Sequence, residues 1–173
     1  GSGEIAVLTQ SGPRAAASLG LSREVIFDHA DAAAALRPNL VVHLAGAGIA
    51  DARWTAKRRT ALWASRVDYT RRLVDALRAA PPARMIAASA IGYYGPAGDP
   101  PVEESAPRGE GFAAALCEAW EAESRALEEA GTAVCCLRLG LVLGPRGGLL
   151  ERLAPPFRLG LGGRIGHGAQ GMS

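Results

Sequence analysis

Short, nearly uninterrupted apolar runs alternate with segments of helical periodicity, and this alternation constrains the fold more than any other feature. The run 40–46 precedes helical spacing of apolar residues over about 55–80, and the run 85–89 precedes a loop and a helix over 112–130. Strands buried on both faces are continuously apolar, and strands that alternate with helices form parallel sheets. The sequence therefore predicts an α/β fold with a doubly wound parallel sheet.

Three further apolar runs complete the predicted sheet, at residues 5–9, 25–27 and 134–139. The segment 92–111 is rich in glycine and proline and is too long for a simple connection, so we expect it to be functional. After Gly144 the chain is rich in glycine, proline and arginine and shows little regular pattern, especially over 160–171.

Composition excludes several classes of partner. The 173 residues suffice for one domain, and 19 basic against 17 acidic residues leave a net charge of only +2. We therefore expect no nucleic-acid partner and, with no apolar stretch near 18 residues, no membrane partner. Three cysteines are an odd number, so reduced thiols and a cytoplasmic location are expected.

Ligands of open parallel sheets bind beyond the carboxyl ends of the strands. The residues in those positions are Thr9 with Gln10, Phe27 with Asp28, Ala45 with Gly46, Ser89 with Ala90, and Gly140. Small residues at three of these five places allow a flat ligand to approach the backbone. The pattern predicts a nucleotide-shaped crevice and a small-molecule substrate.

Two polar residues of the apolar runs have different predicted roles. His43 lies inside a strand and is predicted to be a hydrogen-bonded core histidine rather than a catalytic one. Ser89 ends a strand without the GxSxG pattern of a hydrolase nucleophile. It is better placed to hydrogen-bond a substrate carbonyl or hydroxyl group. No spacing of His, Cys and carboxylates predicts a metal site.

Several longer motifs carry a specific resemblance. They are SAIGYYG at 89–95, LGLVLGP at 139–145 and PFRLGLGGRIG at 156–166, with His43-Leu44-Ala45-Gly46 and Trp120-Glu121 in the same order. With these motifs the chain resembles the NAD(P)-dependent epimerase/dehydratase-like family of atypical short-chain dehydrogenases, often called nucleoside-diphosphate-sugar epimerase-like proteins.

The resemblance implies a Rossmann-like fold that is incomplete at both ends. Residues 1–144 would form the NAD(P)-binding domain without its first strand and glycine loop, and residues 145–173 would begin the substrate-binding region. The predicted cofactor is NADP or NAD. Its predicted contacts are Thr9, Gln10, Phe27, Asp28, Leu44, Ala45, Gly46, Arg66, Ser89 and Val142. The family commonly has arginine where Gln10 stands, which leaves the choice between NADP and NAD open.

The superfamily's Tyr-x-x-x-Lys pair is absent, because Lys57 is the only lysine and no tyrosine lies four residues before it. The resemblance places Ala113 and Cys117 at the positions of the pair. Ser89 is then the first catalytic candidate. Tyr93 and Tyr94 are candidate proton donors on condition that a neighbouring group activates them.

Two functions follow as hypotheses. The first is an NAD(P)-dependent oxidoreductase or epimerase-like enzyme acting on a small polar or sugar-nucleotide-like substrate. The second is a non-catalytic NAD(P)-binding sensor or scaffold protein, which the missing pair favours. The sequence leaves enzymatic activity, the substrate and the oligomeric state open.

Overall fold

The computed structural model of the chain describes residues 5–9, 26–27, 29–96, 101–144, 148–164 and 168. All described strand pairs are parallel. Strand β1 (Val7–Leu8) pairs with β2 (Ile26–Phe27), and a second sheet has the order β3 (Leu40–His43), β4 (Arg84–Ala90) and β5 (Ala133–Leu139). A further short strand, β6, spans Leu143–Gly144. The predicted parallel α/β architecture is confirmed.

The register of the second sheet brings the predicted site positions to one edge. His43 pairs with Ala87, and Ser89 pairs with Arg138. Because the three strands are parallel, their carboxyl ends lie along a common edge, which we call the carboxyl edge.

Five helices connect or follow the described strands. They are α1 (Ala30–Ala35), α2 (Ala56–Trp63), α3 (Tyr69–Leu77), α4 (Gly111–Arg125) and α5 (Gly148–Arg158). Thr55 caps α2, since its hydroxyl accepts a hydrogen bond from the Arg58 backbone N–H at 3.2 Å. The helix predicted over 55–80 is thus present, but a π-helical segment at Ala64–Asp68 separates α2 from α3.

Two short 3₁₀ segments adjoin the predicted elements. Ala126–Ala130 extends α4 and ends at Gly131, whose φ of 87° is the left-handed conformation that glycine adopts readily. Ile91–Tyr94 follows β4 directly and forms a turn at the carboxyl edge. The loop predicted over 92–111 therefore begins inside a defined turn.

Beyond Gly144, where the sequence shows little regular pattern, the structure forms helix α5. Pro155 and Pro156 lie inside this helix. Proline lacks the N–H that an internal helical position donates, so the pair argued against a helix in the sequence. The leucines at 149, 150 and 153 have helical spacing that the two prolines concealed.

The main core lies between the second sheet, helix α3 and the 3₁₀ segment Ala126–Ala130. Its fully or nearly fully buried members are Leu73, Val74, Leu77, Met85, Ala87 and Leu127. On the opposite face of the described sheet, four large apolar side chains are 41–53% exposed: Leu40, Val42, Leu137 and Leu139. The described part of the sheet therefore has one covered and one open face.

Candidate functional site

The carboxyl edge brings together only part of the predicted crevice. Ala45 follows β3 and Ser89 lies near the end of β4, so these two predicted positions share the edge. Thr9 follows β1 and Phe27 ends β2, which form a separate described pair of strands. Gln10 and Asp28 lie outside the described residues.

Arg66 lies against the backbone just beyond β3. A Cβ atom added at Gly46 would come within 3.0 Å of the Arg66 guanidinium carbon. The π-helical segment holds this contact, because Ser65 beside Arg66 accepts the Ala47 backbone N–H at 3.1 Å and donates to the Leu62 carbonyl at 3.0 Å. π-Helical segments occur frequently at functional sites. The absence of a side chain at residue 46 lets the guanidinium reach the strand end.

The positive charge of Arg66 has no matching negative charge in the described part of the chain. No described carboxylate lies within ion-pair distance of it. Its guanidinium carbon lies 5.2 Å from the centre of the Trp120 ring, and its hydrogen bond to Ser65 is long at 3.4 Å. Burial lowers the pKa of Arg66, although an arginine this basic stays charged. A half-buried cation of this kind suits an anionic ligand.

His43 is a core residue, as predicted. Its side chain is buried, and Nε2 lies 2.7 Å from the Thr70 hydroxyl. The imidazole meets the Trp120 ring edge to face, with 6.2 Å between the ring centres. Burial lowers the pKa of His43 from 6.5 to about 4, so the ring is neutral near pH 7.

Ser89 is tied to a buried ion pair that the sequence did not reveal. Its hydroxyl donates to Glu121 Oε1 at 2.6 Å. Arg138 donates to both oxygens of the same carboxylate, from Nε at 2.8 Å and from Nη2 at 2.9 Å. The Arg138 and Glu121 side chains are only 18% and 8% exposed. This two-point contact is the strong geometry of an arginine–carboxylate pair.

The ion pair fixes the pKa of both partners. Burial alone would raise the pKa of Glu121, but hydrogen bonds from Arg138 and Ser89 outweigh burial and hold it below its usual value. The hydrogen bonds to Glu121 also raise the pKa of Arg138. Both groups therefore remain charged across the physiological range.

Arg138 also joins β5 to the turn that follows β4. Its Nη1 donates to the Tyr94 hydroxyl oxygen at 2.8 Å and to the Glu104 carbonyl at 3.0 Å. Its guanidinium carbon lies 3.5 Å from the centre of the Tyr93 ring. The structure thus places Ser89, Tyr93 and Tyr94, the three predicted catalytic residues, around Glu121 and Arg138.

The turn after β4 packs against Ala113 and Cys117, the two positions to which the resemblance assigns the superfamily's tyrosine and lysine. A Cβ atom at Gly92 would lie 3.5 Å from Ala113 Cβ and 3.8 Å from Cys117 Sγ. Cys117 is buried, and burial raises the pKa of its thiol. The thiol is therefore neutral and is a poor substitute for a lysine cation.

Two predicted cofactor residues expose apolar side chains beyond the strands. Leu44 follows β3 and is 67% exposed, and Val142 follows β5 and is 71% exposed. Ala45, between Leu44 and Gly46, is half-buried. Leu44 and Val142 therefore present apolar surface that the described residues leave largely uncovered.

Sequence reasoning identified no role for Glu121 or Arg138. The available signals were a carboxylate directly after the buried Trp120 and an arginine inside the apolar strand 134–139. Charged residues are almost never buried unless they are paired, so each of these positions pointed to a partner.

Two further classes of site are absent from the described residues. They contain no group of three or more His, Cys, Asp and Glu side chains suited to a metal ion. They also contain no helix with the length and apolar character needed to span a bilayer.

Comparison with known proteins identifies the family. The sequence profile of the NAD dependent epimerase/dehydratase family matches residues 21–160. An epimerase family protein of Mycobacterium bovis is 44% identical over 133 residues, which are 77% of this chain and 44% of that protein. The chain thus spans less than half of the length of this relative.

Solved structures agree with this assignment. The crystal structure of human epimerase family protein SDR39U1 with NADPH matches with a TM-score of 0.71 and 34% identity, over 78% of this chain and 47% of that one. A nucleoside-diphosphate sugar epimerase from Corynebacterium glutamicum matches with a TM-score of 0.66 and 33% identity, over 78% and 28%. The chain belongs to the NAD-dependent epimerase/dehydratase family, as an atypical short-chain dehydrogenase with a Rossmann-like fold.

Proposed function

We propose that this chain forms the dinucleotide-binding part of an NAD(P)-dependent oxidoreductase or epimerase-like enzyme. The observation that carries the proposal is the uncompensated guanidinium of Arg66 at the carboxyl edge. A dinucleotide brings negatively charged phosphates to that edge, where a half-buried cation binds them more strongly than in water.

The residues present fit such a cofactor. Leu44 and Val142 offer exposed apolar surface beyond β3 and β5, and Gly46 allows close approach to the backbone. Flat nucleotide rings pack well on apolar surfaces of this kind. When bound, the nicotinamide supplies the hydride chemistry. The human SDR39U1 structure contains NADPH, so we propose NADP(H) as the first cofactor to test and NAD(H) as the second.

The substrate we propose is small and polar, or similar to a sugar nucleotide. A nucleoside-diphosphate sugar epimerase among the structural relatives supports the second class. The Tyr94 hydroxyl, which accepts from Arg138 at this edge, keeps a proton that the contact does not use. Such a group suits a hydroxyl or carbonyl oxygen better than an apolar substrate.

Isothermal titration calorimetry of the whole protein with NADPH and with NADH tests the proposal. We expect binding of at least one dinucleotide, weakened about 10- to 100-fold by Arg66→Met, because a charge-assisted contact is lost. The matched control is Arg71→Met, which removes an exposed arginine paired with Glu123 and should leave affinity unchanged. A wild-type protein that binds neither dinucleotide contradicts the proposal.

The second candidate function is a cofactor-binding sensor or scaffold without turnover. The placement of Ala113 and the neutral Cys117 beneath Gly92 favours it, because neither residue can replace the tyrosine and lysine. Dinucleotide binding without turnover of alcohols, ketones or nucleotide sugars would support this candidate. Turnover that is lost in Ser89→Ala would exclude it.

A further inference from the structure

The contact between Arg138 and Tyr94 has a defined direction. Arginine carries only hydrogen-bond donors, whereas a phenol both donates one proton and accepts. In the 2.8 Å contact from Nη1, Arg138 is therefore the donor and the Tyr94 oxygen is the acceptor. The proton of the Tyr94 hydroxyl takes no part in this contact and remains available to another partner.

In the contact between Ser89 and Glu121, by contrast, the hydroxyl proton is already used. A serine hydroxyl has a single proton, and Ser89 directs it to the Glu121 carboxylate at 2.6 Å. Ser89 is only 3% exposed, and its hydroxyl has no second proton to donate to a substrate. A proton donor at this edge must come from another residue.

We propose that Tyr94 is the proton donor of this site and that Arg138 is its positioning residue, supplying the positive charge that lysine supplies in the Tyr-x-x-x-Lys pair. This inference rests on the proposed function. In the step, the O–H bond of Tyr94 breaks, the proton passes to the substrate oxygen, and the electron pair stays on the Tyr94 oxygen. The adjacent guanidinium stabilises the negative charge that develops there.

The surroundings hold Arg138 in the orientation this role requires. The Glu121 carboxylate binds it at two points, and the Tyr93 ring lies against its guanidinium at 3.5 Å. The Glu104 carbonyl shares Nη1 with Tyr94. A guanidinium fixed on three sides loses little freedom when the phenol changes its charge, and such preorganisation favours catalysis.

The geometry also distinguishes the two adjacent tyrosines. The Arg138 guanidinium carbon lies 3.5 Å from the centre of the Tyr93 ring and 5.0 Å from the centre of the Tyr94 ring, and Tyr94 also accepts a hydrogen bond from Arg138 through its hydroxyl oxygen. The two rings meet nearly at right angles with centres 5.4 Å apart. Removing the hydroxyl should therefore affect Tyr94 far more than Tyr93. This difference supplies a matched pair of variants.

The test measures NADPH-dependent reduction of a panel of small polar ketones and nucleotide sugars by the whole protein, together with NADPH affinity by calorimetry. General acid catalysis contributes about 100-fold or more. We expect Tyr94→Phe to lower kcat by at least about 100-fold, with NADPH affinity within about threefold of wild type. Tyr93→Phe keeps the ring that contacts Arg138 and should lower kcat by less than about tenfold.

Variants of Arg138 separate positioning from folding. Arg138→Met should lower kcat, and added guanidinium ion should restore part of it, which a purely structural role would not allow. Arg138→Lys should retain an intermediate kcat, because it keeps the charge and loses the two-point contact. Arg125→Met, which breaks an exposed pair with Glu128, is the control for altered surface charge.

The outcomes distinguish this inference from the proposed function. A wild-type protein that does not bind NADPH overturns both. Binding without reduction of any member of this panel, or a Tyr94→Phe variant that keeps kcat within about threefold of wild type, overturns the role of Tyr94 alone. Because Tyr94→Phe removes a single oxygen atom, this arm remains decisive if the Arg138 variants do not fold.

Discussion

Two arginines at the carboxyl edge differ in how their charge is balanced. Arg138 is held by the Glu121 carboxylate, two tyrosines and a backbone carbonyl. Arg66 has a long hydrogen bond to Ser65 and the face of Trp120, with no described carboxylate in reach. The comparison teaches that a saturated arginine serves the architecture of the site, while an uncompensated one is available to a ligand.

The largest expected effect on stability comes from removing the Glu121 carboxylate, which pairs with Arg138. Glu121→Ala leaves a buried guanidinium without its counter-charge and Ser89 without its acceptor. Breaking a buried pair in this way costs about 3–5 kcal/mol of unfolding free energy, measured by urea denaturation. The control is Glu123→Ala on the same helix, where the partner Arg71 is exposed and the loss should be far smaller. Equal losses in the two variants would contradict the structural role of the pair.

We expect acid to lower the free energy of unfolding first through His43, which contacts Trp120 as Arg66 does, and only at lower pH through the pair of Glu121 and Arg138. Unfolded His43 takes up a proton below about pH 6.5, whereas the folded protein resists protonation until about pH 4. Stability is therefore complete above pH 6.5 and falls as the pH drops through this window, by up to about 3 kcal/mol. The lowered pKa of Glu121 keeps the Arg138 pair charged to a lower pH.

Urea denaturation at a series of pH values measures this difference. Replacing His43→Gln removes the titrating group, so the variant should show a much flatter dependence between pH 6.5 and about pH 4. An equally steep loss of stability in the variant would show that another group is responsible.

Alanine substitutions at two glycines, Gly109 and Gly46, should have the smallest and most local effects. A Cβ atom at Gly109 would collide with the Tyr94 backbone carbonyl, which cannot move aside, so Gly109→Ala should cost about 1–3 kcal/mol. A Cβ atom at Gly46 would meet only the flexible end of Arg66, at 3.0 Å. Gly46→Ala should therefore leave the melting temperature nearly unchanged and weaken dinucleotide binding up to about tenfold by displacing the guanidinium. The reverse pattern would mean that Arg66 does not face the ligand.

The sequence predicted the parts of the molecule that depend on local pattern. Strands β3, β4 and β5 form at the apolar runs 40–46, 85–89 and 134–139, although β3 ends at His43. The expectation that both faces are covered does not hold for the described sheet, because Leu40, Val42 and Leu137 are exposed on one face. The common edge of Ala45 and Ser89 then followed from parallel pairing alone. These inferences need only the chain order and the strand direction.

Other features depend on contacts between distant segments and were not predicted. Glu121 and Arg138 lie 17 residues apart on a helix and a strand, and the sequence does not show that they pair with each other. The π-helical segment Ala64–Asp68 was also not visible in the sequence. The spacing of apolar residues shows which side of a helix is buried, but not which backbone hydrogen bonds form. The roles predicted for Thr9, Leu44 and Val142 remain predictions.

The π-helical segment sets how far the side chains of α2 are rotated about the helix axis relative to those of α3. Its bonds connect residues five apart, whereas an α-helix connects residues four apart and turns about 100° per residue. Deleting one residue here would restore α-helical winding and swing Ser65 and Arg66 about 100° relative to the buried face of α3. The side chain presented to Gly46 is thus selected by the length of the chain in this helix as well as by its sequence.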